Sequence, residues 1–184
     1  MMRKFQRTWV LVAGLMALMG PLAHAGVGLD LVGSGTYGLL IPPNTGRSSL
    51  PGGGLFLNFN LGSKVQFDLG ALYMTRAWND GVTQNSRYAE GQAGFNILLS
   101  RALFINLGAY YNYYLNNQVV LSGFDWGFTA GLGLRIPLGK SVGLLIYPQF
   151  HKAINALSYN GNSITSTEVA GFLGLSFGMP GSSR

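Results

Sequence analysis

The chain has 184 residues and no cysteine, which excludes a disulfide framework and a lipid-modified N-terminal cysteine. Only 10% of its residues are charged, whereas a typical soluble domain has about 25%. The formal net charge is +6, but three of the 12 basic residues precede residue 26, and the rest are too few and too dispersed for nucleic-acid binding.

The first 25 residues have the layout of a secretory signal peptide. Residues 1–7 contain three basic residues, residues 10–22 are apolar, and Ala23-His24-Ala25 offers small residues at the two positions that signal peptidase reads. An uncleaved membrane anchor would share the apolar run, but Pro21 and the Ala-x-Ala ending favour cleavage after Ala25. We therefore expect residues 1–25 to be removed.

Segments in which apolar side chains alternate with polar or small ones recur along the rest of the chain. The clearest runs from Leu103 to Leu115, with the period of two that is typical of a β-strand. No stretch after residue 25 approaches the roughly 18 consecutive apolar residues of a transmembrane helix. Eight strands are predicted, at 27–40, 53–61, 64–78, 86–99, 102–115, 124–137, 141–152 and 167–178.

The connections between these strands alternate in length. Short turns fall at 62–63, 100–101 and 138–140, and longer polar connections at 41–52, 79–85, 116–123 and 153–166. Short periplasmic turns and long outer loops are the asymmetry of bacterial outer-membrane barrels, in which every backbone amide pairs with a neighbouring strand. We predict an all-β fold, an eight-stranded antiparallel up-and-down transmembrane barrel over residues 26–178, with a short tail at 179–184.

The alternation assigns one face of each strand to lipid and the other to the interior. The lipid-facing set is apolar: Leu55, Leu57, Phe59, Leu61, Val65, Phe67, Leu69, Ala71, Tyr73, Phe95, Ile97, Leu99, Phe128, Ala130, Leu132, Leu134, Ile136, Val142, Leu144, Ile146, Val169, Leu173, Leu175 and Phe177. The interior set is rich in amides: Asn58, Asn60, Gln66, Asp68, Glu90, Gln92, Asn96, Asn106, Thr129, Arg135 and Gln149. No charge falls in the middle of the lipid face, where Lys or Arg costs about 2–4 kcal/mol.

A barrel of eight strands is just wide enough for its own side chains to fill. Its inward charges are therefore interpreted as a paired polar network, because an unpaired buried charge is costly. The strand directions place Asp30, Lys64, Asp68 and Arg135 in the periplasmic half, and Arg76, Glu90, Asp125 and His151 in the outer half. The alternative is a narrow conduit in which Arg76 forms a switchable plug with Glu90 or Asp125.

Glycines and aromatic residues are predicted to have positional roles in this barrel. Inward glycines would make room for bulky inward rings at Phe56, Phe104, Tyr110 and Tyr147. These glycines are Gly70, Gly94, Gly108, Gly127, Gly131, Gly133, Gly143 and Gly174. Aromatic residues near the long loops are predicted to form a girdle at the membrane surface: Tyr37, Tyr73, Trp78, Tyr88, Tyr111, Tyr113, Phe124, Trp126 and Phe150.

The signal, the eight alternating runs, the loop asymmetry and the ending Leu175-Ser176-Phe177 resemble the small outer-membrane barrels of the outer membrane protein A transmembrane-domain and outer membrane protein X type. The resemblance implies outer-membrane lipid around the barrel, insertion by the barrel assembly machinery, a monomer, and a structural or surface-interaction role. It also implies that outer loops are the places for a surface ligand. The chain departs from the family in that residues 178–184 follow the terminal aromatic.

Catalysis is not predicted, although a segment near the seventh strand is similar to the His-x-Ser motif of lipid A deacylases. Here His151-Lys152 is followed by Ala153, so the nucleophile is missing. Thr165 stands where the family has its acid, and Glu168 lies a few residues later. No cofactor or metal site is predicted, because His151 is the only histidine after residue 25.

A soluble periplasmic barrel with a lipid-binding cavity would share the signal and the strands. It would, however, have a polar outer face and an apolar interior. The polar set in this chain is rich in Asn and Gly, whose small side chains fit a barrel interior better than an outer surface.

Overall fold

The computed structural model describes residues 26–38, 51–79, 83–115, 121–122, 124–155, 157–159 and 162–178. The predicted signal peptide and the predicted tail at 179–184 lie outside these residues. No helix in the described part of the chain is long and apolar enough to span a membrane.

Eleven strands account for nearly all of the described residues. In chain order they are β1 Val27–Gly38, β2 Pro51–Asn60, β3 Val65–Asn79, β4 Thr83–Leu98, β5 Leu103–Tyr114, β6 Leu121–Ser122, β7 Phe124–Pro137, β8 Val142–Ala153, β9 Leu157–Tyr159, β10 Asn162–Ile164 and β11 Thr167–Phe177. In β5, β7 and β8 buried residues alternate with more exposed ones, which is the pattern that burying a single face of a strand requires.

The eight long strands form a closed antiparallel barrel in the order β1-β2-β3-β4-β5-β7-β8-β11, and β11 pairs with β1. Closure leaves no strand at an open edge, so each long strand pairs with a neighbour on both sides. The predicted eight-stranded up-and-down barrel is thereby confirmed. We call the end of the barrel with the three short connections the turn end and the opposite end the loop end.

The connections at the loop end differ from the prediction in one respect. The segment 153–166 is predicted as a longer polar connection without strands, whereas it contains the hairpin of β9 and β10, and β9 also pairs with β6. These three strands form a small separate sheet. The sequence analysis missed them because two or three residues are too few to show a period of two.

Proline at position 148 interrupts the pairing of β7 with β8. The ladder runs from Gly127↔Ala153 to Gly131↔Gln149 and resumes only at Leu134↔Ile146. Proline has no N–H to donate to a neighbouring strand, so a gap at this position is expected. On its other side Pro148 stays in register with Gly171 of β11.

The outer wall of the barrel is apolar, as predicted. Most outward side chains of the strands are large hydrophobic ones that are at least a third exposed, among them Phe95, Leu107, Phe128, Leu132 and Leu173. Six of the predicted girdle aromatics are also exposed on this wall: Tyr73, Tyr111, Tyr113, Phe124, Trp126 and Phe150. Tyr88 is a correction, because it is fully buried in the interior, while the side chains of Tyr37 and Trp78 lie outside the described ones.

Leu132→Arg tests whether this wall faces hydrocarbon. Leu132 lies in the middle of β7, so the substitution is expected to lower the free energy of unfolding in lipid vesicles by about 2–4 kcal/mol. Leu138→Arg, in the exposed turn after β7, is the matched control and is expected to cost about 0–1 kcal/mol. Equal urea midpoints for the two variants would contradict a lipid-facing wall at Leu132.

Candidate functional site

The interior of the barrel holds most of the residues predicted to form a polar network. Asp30, Asp68, Glu90, Asp125, Arg135 and His151 are all buried there. Two predictions differ from the structure: Lys64 lies in the turn before β3 and is exposed, and so is Asn60 at the end of β2. Both stand where the strands leave the barrel, so their side chains reach the turn end instead of the interior. The side chain of Arg76 lies outside the described ones.

The buried charges are strongly unbalanced. Of the six acidic residues of the chain, the five with described side chains, Asp30, Asp68, Glu90, Asp125 and Glu168, are all buried. Among the described basic side chains only Arg135 is buried, and Lys64, Arg87, Arg101, Lys140 and Lys152 are exposed. The described interior therefore has an excess of negative charge.

Arg135 organises the turn end of the interior. Its guanidinium donates from Nη2 to Asp30 Oδ2 at 3.0 Å and from Nη1 to Gln66 Oε1 at 2.9 Å. Nη2 also reaches Asn58 Oδ1 at 3.1 Å, and the guanidinium carbon lies 4.4 Å from the centre of the Phe104 ring. Charge-assisted hydrogen bonds of this kind are the strong ones, and here they close the barrel at one end.

Side-chain amides continue the network along the barrel. Asn106 donates to Asp68 Oδ1 at 3.1 Å and to Asn96 Oδ1 at 2.8 Å, and it accepts from Gln149 Nε2 at 3.1 Å. Gln149 and Gln92 exchange a reciprocal pair of hydrogen bonds across the interior, at 3.0 and 3.1 Å. An amide both donates and accepts, so it can satisfy a neighbour of either kind without adding charge.

Aromatic rings fill the space beside these amides. Phe56 packs edge-on against Phe172 at 5.6 Å between ring centres, and Tyr147 lies 5.5 Å from Phe172 and 5.4 Å from Phe104. The predicted pairing of glycines with rings is confirmed at three positions. A Cβ added at Gly70, Gly131 or Gly133 would meet the ring of Phe56, Tyr147 or Phe104, respectively.

The loop end of the interior contains a cluster of Glu90, His151 and Glu168, which we call the Glu-His-Glu cluster. His151 Nδ1 lies 3.7 Å from Glu90 Oε2 and 3.8 Å from Glu168 Oε1. Three different strands supply these residues: β4, β8 and β11. His151 and Glu168 are direct partners in the β8–β11 ladder, which places both side chains on the inner face.

Asp125 lies beside this cluster and has partners of its own. Ser166 Oγ donates to Asp125 Oδ2 at 3.0 Å, and the Tyr110 hydroxyl is 3.3 Å from Asp125 Oδ1. The Tyr110 ring in turn lies 5.0 Å from the ring of His151. Hydrogen bonds and the contact between the Tyr110 and His151 rings thus connect the amides with Asp125 at the loop end.

Glu168 is the one buried carboxylate that the sequence analysis did not place in the interior. From the sequence it was noted only as the glutamate a few residues after Thr165, the position where lipid A deacylases have their acid. The inward direction of Glu168 could have been predicted, because Val169 is assigned to the lipid face and the residue before it must then point inward.

The geometry around His151 does not reproduce a catalytic triad. Gln149, Tyr110 and the two glutamates lie next to His151, and all four are inside the barrel. Position 153, where the deacylase motif has serine, is a buried alanine. Among the described residues, Ser166 directs its hydroxyl to Asp125 and not to His151.

Comparison with solved structures identifies the fold. Neisserial surface protein A has 9% identity and a TM-score of 0.54, and the match covers 83% of this chain and 96% of that one. AlkL, an outer membrane protein studied in DMPC bilayers by solid-state NMR, has 15% identity and a TM-score of 0.54, with 83% and 89% covered. OprG, an outer membrane protein of Pseudomonas aeruginosa, has 13% identity and a TM-score of 0.51, with 83% and 95% covered.

No protein-family model and no curated protein sequence matches the chain. Identities this low show the fold alone. The chain therefore has the fold of the small eight-stranded outer-membrane barrels, which confirms the resemblance noted from the sequence.

Proposed function

We propose that the chain is an integral outer-membrane barrel with a structural or surface-interaction role and an interior closed by its own side chains. The observation that carries this proposal is the continuous buried network from the Arg135–Asp30 pair to the Glu-His-Glu cluster. Because those side chains occupy the interior together with the aromatic rings, a wide aqueous channel has no room. The apolar outer wall supports a position within lipid.

We propose that the N-terminal residues direct export and that the last strand directs insertion into the outer membrane. Residues 1–25 would direct export and be cleaved after Ala25, and the ending of β11 at Leu175-Ser176-Phe177 would be read by the barrel assembly machinery. The inserted barrel would be a monomer in outer-membrane lipid.

A surface ligand would bind at the loop end of the barrel. The sheet of β6, β9 and β10 joins segments from two different connections, between β5 and β7 and between β8 and β11. Loops held on a rigid scaffold are where such proteins place their contacts. This sheet is the proposed contact surface.

Location is tested by expressing the full chain in a Gram-negative host and extracting the membranes with carbonate. The protein is expected to stay with the outer-membrane fraction, begin at Gly26, and migrate differently on a gel with and without boiling, because an intact barrel resists unfolding by detergent. Release into the soluble fraction by carbonate would contradict the proposal and support the soluble lipid-binding alternative.

Closure of the interior is tested by recording currents across planar bilayers. Neither the wild type nor Glu90→Gln is expected to give a well-defined large single-channel current, since Glu90 is one member of a network that fills the interior. Glu90→Gln is expected to destabilise the barrel instead. A stable large conductance from either protein would contradict a structural role and support the pore alternative.

We further propose that the protein does not deacylate lipid A, and this is tested separately. Purified refolded protein is incubated with lipid A, and released acyl chains are measured by mass spectrometry. No release above a boiled control is expected, because Ala153 stands at the nucleophile's position. Release that depends on His151 would contradict it.

A further inference from the structure

We propose that the Glu-His-Glu cluster binds one divalent transition-metal ion inside the barrel. One ligand atom from each of Glu90, His151 and Glu168 lies within 4.8 Å of the other two, and all three residues are buried. With separations of 3.7 and 3.8 Å from His151 Nδ1, and at most 4.8 Å between the two carboxylate oxygens, an ion placed at equal distance from all three atoms is about 2.4 Å or less from each. This distance is close to the bond lengths of metal–carboxylate and metal–imidazole contacts. Imidazole together with carboxylate is a ligand set suited to zinc, manganese and their neighbours.

The hydrogen bonds around His151 make Nε2 a donor, so Nδ1 is the ring nitrogen that would bind a metal. Gln92 Nε2 donates to Glu90 Oε1 at 2.5 Å, which fixes the orientation of the Gln92 amide because a carboxylate oxygen only accepts. Gln92 Oε1 then accepts from Gln149 Nε2, and this turns Gln149 Oε1 towards His151 Nε2 at 2.8 Å. His151 therefore donates from Nε2, and its other ring nitrogen, Nδ1, faces the two carboxylates.

This arrangement is the one found at metal sites in proteins. A metal-binding histidine almost always donates its second ring N–H to a carbonyl or carboxylate oxygen, which holds the ring in place. Here the Gln149 carbonyl takes that position, and Gln149 is itself held by Gln92, Asn106 and Tyr147. The ring is thus oriented before any ion arrives.

The charge of the interior gives a second, independent reason. Five carboxylates are buried, against Arg135 and His151 among the described side chains. A divalent cation between Glu90 and Glu168 would interact favourably with both carboxylates where they approach the same imidazole.

Asn112 gives a third reason and a fourth ligand position. It is 0% exposed, and neither atom of its side-chain amide has a hydrogen-bond partner. Its direct neighbours in the ladders are Glu90 on β4 and Asp125 on β7. A buried amide without a partner is rare, and Asn112 Oδ1 or a water held by this amide would complete a four-coordinate ion.

The bound ion would join β4, β8 and β11 on opposite sides of the interior, which makes it a structural site. No metal site is predicted from the sequence, because His151 is its only histidine after residue 25. Barrel closure brings it to two glutamates that lie 61 and 17 positions away along the chain. A site assembled in this way forms only in the folded protein, so metal affinity adds to folding stability.

The test uses the refolded full barrel in detergent, treated with a chelator and then dialysed against Zn²⁺ or Co²⁺ alone. One ion per chain is expected by elemental analysis. The Co²⁺-loaded protein is expected to show the intense visible absorption bands of an ion in a low-symmetry site. The unfolding midpoint is expected to be higher with Zn²⁺ than with chelator. Less than a tenth of an ion per wild-type chain after dialysis would overturn the proposal.

Two variants locate the site. Glu168→Gln keeps the shape of the side chain but removes a charged ligand, and it is expected to weaken Zn²⁺ binding at least tenfold. Asp125→Asn changes a neighbouring buried carboxylate that is not a ligand, and it is expected to bind Zn²⁺ like the wild type. Equal binding by Glu168→Gln and wild type would overturn the assignment. If Glu168→Gln does not give a heat-modifiable barrel, the wild-type stoichiometry decides.

Discussion

Replacing Arg135 by methionine is expected to destabilise the barrel by about 3–5 kcal/mol, the usual cost of removing one partner of a buried ion pair. The substitution leaves Asp30 Oδ2 without its cation and Gln66 Oε1 and Asn58 Oδ1 without a guanidinium donor. Urea unfolding in lipid vesicles, followed by tryptophan fluorescence, measures the loss. The same variant is expected to lose its folded gel band at a lower temperature.

Arg101→Met is the matched control, because Arg101 is an exposed arginine in a turn, where substitutions are usually within about 0.5 kcal/mol of neutral. The double variant Arg135→Met with Asp30→Asn is expected to lose less than the two single variants together, since the removed charges were each other's partners. A cost for Arg135→Met no greater than that for Arg101→Met would contradict the role of this pair.

Replacing Gly133 by valine is expected to prevent most of the chain from reaching the folded barrel. A Cβ at this position would overlap the ring of Phe104, which packs against Tyr147 and Arg135 and has little space to move. Overpacking a tight core costs about 1–3 kcal/mol and occasionally more. The yield of heat-modifiable protein after refolding, together with the unfolding midpoint of what does fold, measures the effect.

Two further variants separate this explanation from a general intolerance of glycine replacement. Phe104→Leu in the same chain is expected to restore part of the yield of Gly133→Val, because it removes the ring that the new side chain would meet. Gly91→Val is expected to be close to neutral, since a Cβ at Gly91 meets nothing within 4 Å. No rescue by Phe104→Leu, or equal damage from Gly91→Val, would rule out a clash with Phe104.

The fold was predictable because the strands of a membrane barrel alternate residue by residue, with a period of two. Each residue of a long strand faces lipid or the interior, so Leu107 and Asn106 must point in opposite directions, as they do. The polar partners of Arg135 could also be assigned to the interior from their position in this alternation. Which of them it would bind depends on the relative shift of strands around the barrel, and the alternation within one strand contains no information about that shift.

The Glu-His-Glu cluster was not predicted for the same reason. Glu90 and His151 come from strands that are not neighbours in the barrel, and they meet only across its interior. The prediction for Lys64 was wrong for a different reason: Lys64 lies in the turn just before β3, where a side chain can reach water, so alternation no longer decides its direction. The prediction was thus accurate in the middle of strands and weak where strands end or where opposite walls meet.

The pairing of β11 with β1 has a consequence for how the protein is made. Leu29 stands opposite Phe177. The barrel is therefore closed by pairing its first strand with its last, which lie at opposite ends of the described sequence. A nascent chain still on the ribosome lacks its closing partner, and each hairpin formed early keeps two open sides until synthesis ends. Contacts this distant in sequence form slowly. The ring of strands therefore cannot close before β11 has been synthesised, and the edge of β1 that pairs with β11 stays unpaired until then.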